Sequence, residues 1–305
     1  MTTDQLAVLL ASDPKAVLEN DRRHYFKQIE QAAEIVAANA DKRPVVLLAG
    51  PSGSGKTTSA LLIQRELERK GLVTHTLQMD DYFTPLTEKE LELLSRNELD
   101  LEKPTRVDIP LFQEQLGQIL SGERVSLPRY DFKRSMRLYE GRYLQRKPGE
   151  IVIMEGIHAL NPTVTGYTDQ TSRIYVSVRT RITTREGFTL HPSKIRLARR
   201  LLRDRVCRNR ELTQTISMRE RVDAGEQKYI MPYKPMAHCS VDSFYSSEMS
   251  VYRPFLMEDI QRLVPEYPDL EDILRVFKEL PDLPAELIPT DSLLREFIGG
   301  SELNY

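Results

Sequence analysis

A glycine-rich segment early in the chain has the residue types and spacing of a phosphate-binding loop. Residues 50–57 read Gly-Pro-Ser-Gly-Ser-Gly-Lys-Thr, which satisfies the pattern G-x-x-x-x-G-K-[ST]. The glycines let the backbone turn tightly, so that successive N–H groups face one anion, and the lysine adds a full positive charge. We therefore predict a nucleotide site in which Lys56 is a catalytic cation and Thr57 supplies a hydroxyl ligand to Mg²⁺. The loop residues predicted to bind ATP are Gly50, Pro51, Ser52, Gly53, Ser54, Gly55, Lys56, Thr57 and Thr58.

Carboxylates follow two further predicted strands. Asp80 and Asp81 follow residues 73–78 after one residue, Met79, and Glu155 follows residues 151–154. The carboxyl ends of parallel strands meet at one edge of a sheet, which is where ligands of open α/β sheets bind. We expect Asp80 to accept a hydroxyl proton or to hold Mg²⁺, and Glu155 to be the second acidic element of the metal site. The residue types leave open whether Asp80 or Asp81 is the base.

Arginines are concentrated in one stretch of the second half of the chain. Phosphoryl transfer depends on cations placed around the phosphoryl oxygens, so the stretch predicts an arginine-rich helical lid over about residues 190–212. Within it we expect Arg199 and Arg203 to be catalytic and Arg208 to bind ATP. The arginines of this stretch are Arg196, Arg199, Arg200, Arg203, Arg205, Arg208 and Arg210.

The elements that position these residues alternate between strands and helices. Such alternation predicts an α/β fold, a doubly wound parallel sheet of the P-loop NTPase type. The domain expected to carry the site covers residues 44–262, with a helical arm over 1–43 and a proline-punctuated helical appendage over 263–305. Predicted strands cover residues 44–49, 73–78, 151–154 and 173–178, and predicted helices cover 57–70, 109–120 and 192–207.

Composition excludes several classes of function. The 43 Lys and Arg nearly balance the 45 Asp and Glu, so the chain has no overall field that would attract nucleic acid. Two cysteines without a CxxC pair support neither a disulfide framework nor a zinc site. No segment approaches the ~18 apolar residues that cross a bilayer. We expect a cytoplasmic protein whose partner is a small-molecule acceptor, with no nucleic acid and no membrane, and homo-oligomerisation stays open.

The phosphate loop by itself fits a kinase, a GTPase or an ATPase. A GTPase would carry a base-recognition tetrad of the N-K-x-D kind and a D-x-x-G switch, and the sequence contains neither. The kinase interpretation is therefore favoured.

Several separated blocks resemble the uridine kinase and phosphoribulokinase family of P-loop kinases over about residues 44–254. The resemblance implies that Asp80 is the general base, that Glu155 helps to hold Mg²⁺ and that the arginine-rich stretch is the lid. It also implies ATP-dependent phosphorylation of a hydroxyl, most simply on uridine or another nucleoside. Beyond the loop the matching blocks are Asp80 with Tyr82-Phe83, Pro104 with Asp108, Tyr130-Asp131-Phe132, Glu155-Gly156-Ile157 and RLARRLLRDR over residues 196–205.

The departures from this family fall where the acceptor is chosen. Ser135 stands where uridine kinases carry a histidine that contacts the pyrimidine, Lys103 replaces the histidine before Pro104, and Asn209 replaces a glycine between two lid arginines. The alternatives are a kinase of a sugar, a sugar phosphate or a pantothenate-like alcohol, and a nucleotide-binding regulatory ATPase. The predicted acceptor pocket consists of Asp80, Tyr82, Phe83, Asp108, Tyr130, Phe132 and Arg137.

Overall fold

A parallel β-sheet lies at the centre of the protein, as the alternation of strands and helices predicts. The computed structural model describes residues 1–96, 98–132 and 134–303, so the last two residues of the predicted C-terminal appendage lie outside the described part. The strands are β1 (Val45–Ala49), β2 (Thr74–Gln78), β3 (Arg124–Ser126), β4 (Arg129–Asp131), β5 (Met136–Leu138), β6 (Tyr143–Gln145), β7 (Ile151–Glu155), β8 (Thr171–Ser177) and β9 (Cys239–Asp242). The helices are α1 (Thr3–Ser12), α2 (Pro14–Ala37), α3 (Lys56–Arg69), α4 (Glu88–Ser95), α5 (Ile109–Ser121), α6 (Pro162–Thr165), α7 (Pro192–Arg208), α8 (Leu212–Ser217), α9 (Arg219–Tyr229), α10 (Glu248–Leu263), α11 (Glu271–Glu279) and α12 (Arg295–Ile298).

The central sheet has the order β2-β7-β1-β8-β9, and each neighbouring pair is parallel. Every residue of β1 and β7 is buried, which explains why both strands read as uninterrupted apolar runs. In register, Glu155 lies opposite Leu48 of β1 and opposite Gln78 of β2. The carboxyl ends of β1, β2 and β7 therefore meet at one level, and the fold class predicted from the sequence is confirmed.

Two short antiparallel pairs, β3 with β6 and β4 with β5, lie between α5 and β7. Each of these strands has three residues, too few for an alternating pattern to stand out in the sequence. The second pair places Tyr130 directly opposite Arg137. This hairpin carries part of the predicted acceptor pocket.

Helices cover both faces of the sheet. Along β1 the side chains alternate, so Val46 and Leu48 belong to one apolar core while Val45 and Leu47 belong to the other. Helix α3 packs on α2, where the Tyr25 hydroxyl lies 2.8 Å from Ser59 Oγ. The described residues contain no helix long and apolar enough to span a membrane.

The N-terminal and C-terminal helices share the core of the sheet. Tyr25 of α2, Phe277 of α11 and Phe297 of α12 are fully buried and belong to the same apolar cluster as Val46. The division into residues 1–43, 44–262 and 263–305 remains a prediction about separable units. At the level of packing, the three segments meet in one core.

Candidate active site

The phosphate loop connects β1 to α3 and is held by close backbone contacts. A Cβ atom on Gly50 would lie 2.1 Å from the carbonyl oxygen of Val176, so this position leaves no room for a side chain. Gly53 (φ +75°) and Gly55 (φ +82°) adopt left-handed backbone conformations that glycine accepts at little cost. Helix α3 begins at Lys56, immediately after the loop, so its first N–H groups face the loop. This arrangement is a ready site for an anion.

Thr57 and Glu155 meet at the carboxyl end of the sheet. The Thr57 hydroxyl donates a hydrogen bond of 2.9 Å to Glu155 Oε1, and Lys56 Nζ donates one of 3.4 Å to the carbonyl oxygen of Pro51. Burial raises the pKa of Glu155 to about 7, with a further upward contribution from the negative charge of Asp80 and opposition from Lys56. The paired hydroxyl and carboxylate fit the oxygen preference of Mg²⁺. The described residues contain no cluster of three or more acidic, His or Cys side chains that could hold a metal ion.

Asp80 and Asp81 follow β2 in a short 3₁₀ turn, Met79–Tyr82, but their carboxylates have different surroundings. Asp81 accepts the backbone N–H of Tyr130 at 3.1 Å and pairs with Arg142 at 3.6 Å. Within the described ranges the Asp80 carboxylate has neither a hydrogen bond nor an ion pair. Burial raises the pKa of Asp80, while the nearby charges of Lys56 and Arg208 act in the opposite direction.

Arg203 and Arg208, from the predicted lid, lie near Asp80 and share one buried carboxylate. Arg203 Nη2 is 3.0 Å and Arg208 Nη1 is 3.4 Å from Asp204 Oδ1, and Arg210 Nη1 is 3.2 Å from Asp204 Oδ2. Asp204 is 3 % exposed and is surrounded by more positive charge than it can balance. These arginines thus form a positive edge beside the two strand-end carboxylates.

Arg199 requires a correction, because it lies behind the phosphate loop rather than over it. Its side chain is fully buried and forms a two-bond ion pair with Glu248, at 2.7 and 3.0 Å. It also donates to the carbonyl oxygen of Gly53 at 3.2 Å and to that of Ser243 at 2.6 Å. A guanidinium fixed in this way braces the loop from inside the core. The first part of the predicted lid is consequently a core helix, and its exposed residues begin near the end of α7.

Tyr82 also requires a correction as an acceptor-binding residue. It is 1 % exposed, its hydroxyl donates to Gln115 at 3.0 Å, and its ring packs edge-on against Phe112 with centroids 5.1 Å apart. The 3₁₀ turn after β2 directs this side chain into the core and not towards the sheet edge.

The remaining predicted acceptor residues form two groups. The aromatic side chains Phe83, Tyr130 and Phe132 contact one another edge-to-face, with ring centroids 5.1 to 6.2 Å apart. Arg137 pairs with Asp108 at 2.8 Å, and Asp108 also accepts the N–H of Leu111 at the start of α5. The charges of this pair are satisfied within the protein.

A cavity of about 670 Å³ lies between the phosphate loop and the C-terminal end of α7. Of the predicted site residues, Ser52, Phe132, Arg203 and Arg208 line it. The other lining residues are Leu94, Leu99, Asp100, Leu101, Glu102, Arg200, Asp204, Cys207, Asn209, Arg210, Thr215, Met218, Arg221 and Val222.

Two lining residues have no individual role in the sequence analysis, which does not name Glu102 and names Arg200 only as one arginine of the predicted lid. Glu102 has a buried Oε2 atom that makes no hydrogen bond with the described residues, and burial raises its pKa to about 7. Arg200 is 4 % exposed and has no ion-pair or hydrogen-bond partner in the part of the chain that the structure describes. Glu102 stands two residues before Pro104, where a block that resembles the family begins, and this proximity was the available signal. For Arg200 the sequence offered nothing that separates it from its neighbouring arginines.

Comparison with known proteins agrees with this geometry. The sequence profile of the family described as "Phosphoribulokinase / Uridine kinase family" matches residues 45–250. The chain belongs to this family. The matched region contains Lys56, Asp80, Glu155 and the arginines of α7, so the family membership predicted from the sequence is confirmed, and the protein is a kinase of this family.

Relatives and a solved structure support the same family and fold. A uridine kinase of Lactiplantibacillus plantarum is 28% identical over 205 residues, which cover 67% of this chain and 84% of that protein. A uridine kinase of Lactobacillus johnsonii is 30% identical over 196 residues, which cover 64% of this chain and 79% of that protein. The fold is similar to that of a candidate fructose transport system kinase from Silicibacter sp. TM1040, with a TM-score of 0.54 and 20% identity over 70% of this chain and 98% of that one. Residues before 45 and after 250 lie outside the family match.

Proposed function

We propose that this member of the family is an ATP-dependent, Mg²⁺-requiring kinase that transfers the γ-phosphoryl group to a hydroxyl of a small metabolite. The observation that carries the proposal is the meeting of four side chains at one edge of the sheet: Lys56, Thr57, Asp80 and Glu155. A 670 Å³ cavity bordered by arginines lies beside them. A protein catalyses phosphoryl transfer mainly by positioning the reactants and by stabilising the negative charge of the transferred group.

Each of the four side chains has a role in this proposal. The phosphate loop holds the triphosphate, and Lys56 contributes positive charge near its β and γ phosphates. Thr57 and Glu155 would hold Mg²⁺, which would supply positive charge that neutralises the phosphate oxygens. Asp80, whose carboxylate has no hydrogen-bond partner among the described residues, accepts the proton of the attacking hydroxyl. Arg203 and Arg208 add positive charge around the transferred group.

The acceptor that we place first is a nucleoside, with uridine the first to test. The uridine kinases among the relatives and the aromatic group of Phe83, Tyr130 and Phe132 support it. Glu102 lines the cavity, and its carboxylate, one oxygen of which has no hydrogen-bond partner among the described residues, suits the paired hydroxyls of a ribose.

The cavity also supports a second candidate, a sugar phosphate or another anionic alcohol. Five arginines line it against three acidic residues, and neither Arg200 nor Arg221 has an ion-pair partner in the described ranges. A buried unpaired cation favours an anionic ligand, since the ligand would remove a desolvation cost. Ser135 also supports this candidate, because uridine kinases carry at this position a histidine that contacts the pyrimidine, and serine lacks the imidazole group.

The test is a coupled assay of ADP release with nucleosides, neutral sugars and anionic alcohols, each with Mg²⁺ and ATP. We expect acceptor-dependent ADP release with one class, and loss of at least 99% of it in Lys56→Ala. Release stimulated by none of these acceptors but by a macromolecule would instead support the regulatory ATPase. If Lys56→Ala retained a tenth or more of the turnover, a barrier change of only ~1.4 kcal/mol, the loop would not be the catalytic phosphate site.

A further inference from the structure

The C-terminal segment packs directly on the phosphate loop, although it lies outside the region matched by the family profile. We call residues 285–303, which follow α11 and contain α12, the C-terminal strap. A Cβ atom on Gly55 would lie 2.5 Å from Leu293 Cδ1, so the strap touches the last glycine of the loop. Phe297 lies against the guanidinium of Arg199, with its ring centroid 5.1 Å from Cζ. Leu293 and Phe297 are fully buried.

Glu296 of the strap binds the N-terminal end of α3. Glu296 Oε2 accepts a hydrogen bond from the Thr58 hydroxyl and a second, at 3.4 Å, from the Thr58 backbone N–H. This N–H is one of the first four of the helix, which have no partner within the helix itself. The N-cap residue is Gly55, which has no side chain to cap them. A carboxylate from the strap therefore occupies donors that a phosphate loop offers to phosphate.

The position of Glu296 brings a second negative charge close to the metal-site carboxylate. Its charge contributes to the raised pKa of Glu155, although burial and Asp80 contribute more. Thr58 is the one hydrogen-bonding partner of the Glu296 carboxylate among the described residues, so moving this side chain would break no other hydrogen bond or ion pair among them. An incoming phosphate would use the N–H groups at the start of α3, including that of Thr58, and would be repelled by the Glu296 charge.

We propose that Glu296 is a residue of the nucleotide site that competes with nucleotide phosphate for Thr58, and that the C-terminal strap thereby sets nucleotide affinity. The inference rests on the proposed function in one respect, because it takes the phosphate loop to be where the nucleotide binds. In the absence of nucleotide the carboxylate caps α3, and on binding its side chain turns away. The C-terminal strap, which lies outside the family match, thus lowers the affinity of the matched domain for nucleotide.

The test compares Glu296→Gln with the matched control Glu302→Gln by calorimetric titration with Mg²⁺-ADP at pH 8. Gln keeps an oxygen that can accept the Thr58 hydrogen bonds and removes the charge. Glu302 lies on the same strap and binds Thr290 and Arg65, away from the loop. We expect Glu296→Gln to bind Mg²⁺-ADP at least fivefold more tightly than the wild type, and Glu302→Gln to bind it within twofold of the wild type. Unchanged or weaker binding by Glu296→Gln, in a protein that melts at the wild-type temperature, would overturn the inference.

A phosphate-only probe separates competition at Thr58 from an effect on the base or the ribose. Inorganic pyrophosphate with Mg²⁺ should show the same gain in Glu296→Gln as ADP, and a gain confined to ADP would contradict competition for phosphate. The readouts also separate the two proposals, since binding is measured without an acceptor. Tight ADP binding with no acceptor phosphorylated would count against the proposed kinase function alone. If the wild type and Glu296→Gln both failed to bind ADP and pyrophosphate, both proposals would fall.

Discussion

Asp80 and Asp81 are adjacent and chemically identical, yet their neighbours give them different tasks. The Asp81 carboxylate ties the 3₁₀ turn after β2 to β4, through the N–H of Tyr130, and to Arg142. The Asp80 carboxylate is desolvated and keeps its oxygens available. A side chain that is already bound to the protein is a poor proton acceptor for a substrate, so the geometry favours Asp80 as the base.

Asp80→Asn should lower kcat by at least a hundredfold while nucleotide affinity stays within a few-fold of wild type, because the amide cannot accept the hydroxyl proton. Asp81→Asn should lower kcat less than tenfold and act mainly on the KM of the acceptor, through the position of Tyr130. Steady-state kinetics of both variants with the same acceptor provide the measurement. A larger loss of kcat in Asp81→Asn than in Asp80→Asn would reverse the assignment.

Glu155 predicts a pH dependence of metal binding. Burial and Asp80 raise its pKa to about 7, so the carboxyl holds a proton below this pH and a proton must leave before Mg²⁺ binds. The apparent affinity for Mg²⁺, measured with ADP present, should therefore fall as the pH is lowered from 8 to 6, approaching tenfold per unit below pH 7. Glu155→Gln should bind Mg²⁺ weakly at every pH and show a flatter profile. An affinity in the wild type that does not change over this range would contradict Glu155 as the metal ligand.

The sequence predicts the role of a single residue best where that role depends on a contiguous segment of the chain. The phosphate loop is such a segment, because its glycines, Lys56 and Thr57 work through local backbone geometry. Tyr82 and Arg199 were assigned wrongly because burial depends on contacts with residues distant in the sequence, such as Gln115 and Glu248. Glu102 was missed for the same reason, since its place on the cavity results from folding.

Helix α7 combines two functions along its length. Its first three turns lie in the core, where Arg199 links Glu248 and Ser243 to the phosphate loop. Its last two turns present Arg203 and Arg208 to the cavity. The loop at residues 243–248 is in turn held by Asp21 of α2, which accepts hydrogen bonds from Ser246 and Ser247. Helix α2, the Arg199–Glu248 ion pair and the phosphate loop are therefore connected by direct contacts.

Glu248→Gln should destabilise the protein by about 3–5 kcal/mol, because it leaves the fully buried Arg199 charge without its counter-ion. Urea unfolding followed by circular dichroism gives the free energy. The matched control is Asp259→Asn, which removes a partly exposed partner of Arg205 and should cost about 1 kcal/mol or less. Equal losses of unfolding free energy in the two variants would show that the Arg199–Glu248 pair contributes no more to stability than an ordinary surface ion pair.

Elements with a strong local signal were predicted to within a residue or two at most boundaries. The prediction of residues 44–49 and 151–154 as buried strands is confirmed by β1 and β7, because an apolar run between turns needs no tertiary information to be recognised. The three-residue strands β3 to β6 and the short β9 were not predicted. They exist because neighbouring segments pair with them, which a single sequence does not reveal.

The molecule as a whole packs its terminal helices and its sheet into a shared apolar core. Ile273, Val276 and Phe277 of α11 are fully buried in the cluster that contains Val46 of β1. Sequence composition marks the C-terminal appendage through its prolines, but it does not indicate what the apolar face of α11 packs against. Whether the appendage unfolds separately therefore calls for an experiment.

Native-state hydrogen exchange should give the amides of α11 the same opening free energy, within about 1 kcal/mol, as the amides of β1, because one core is exposed when either element opens. The measurement is exchange followed by mass spectrometry over a series of urea concentrations. The exposed helix α4, which has no buried residue, serves as the internal control and should exchange at a much lower free energy. Opening of α11 at a free energy well below that of β1 would support the predicted boundary near residue 262 as a true domain boundary.

The contact between Thr58 and Glu296 also constrains when the site can form during synthesis of the chain. The two residues are 238 positions apart, and a ribosome adds ~5–20 residues per second, so the phosphate loop precedes its C-terminal contact by on the order of 10 to 50 s. During this interval the loop and the start of α3 are made but lack Leu293, Glu296 and Phe297. The loop also depends on Val176 and on the Arg199–Glu248 pair, so a supported loop without Glu296 exists only while residues 249–296 are made, about 2 to 10 s. If Glu296 competes with nucleotide as proposed, nucleotide bound in that time would stabilise the sheet before the last helices are added.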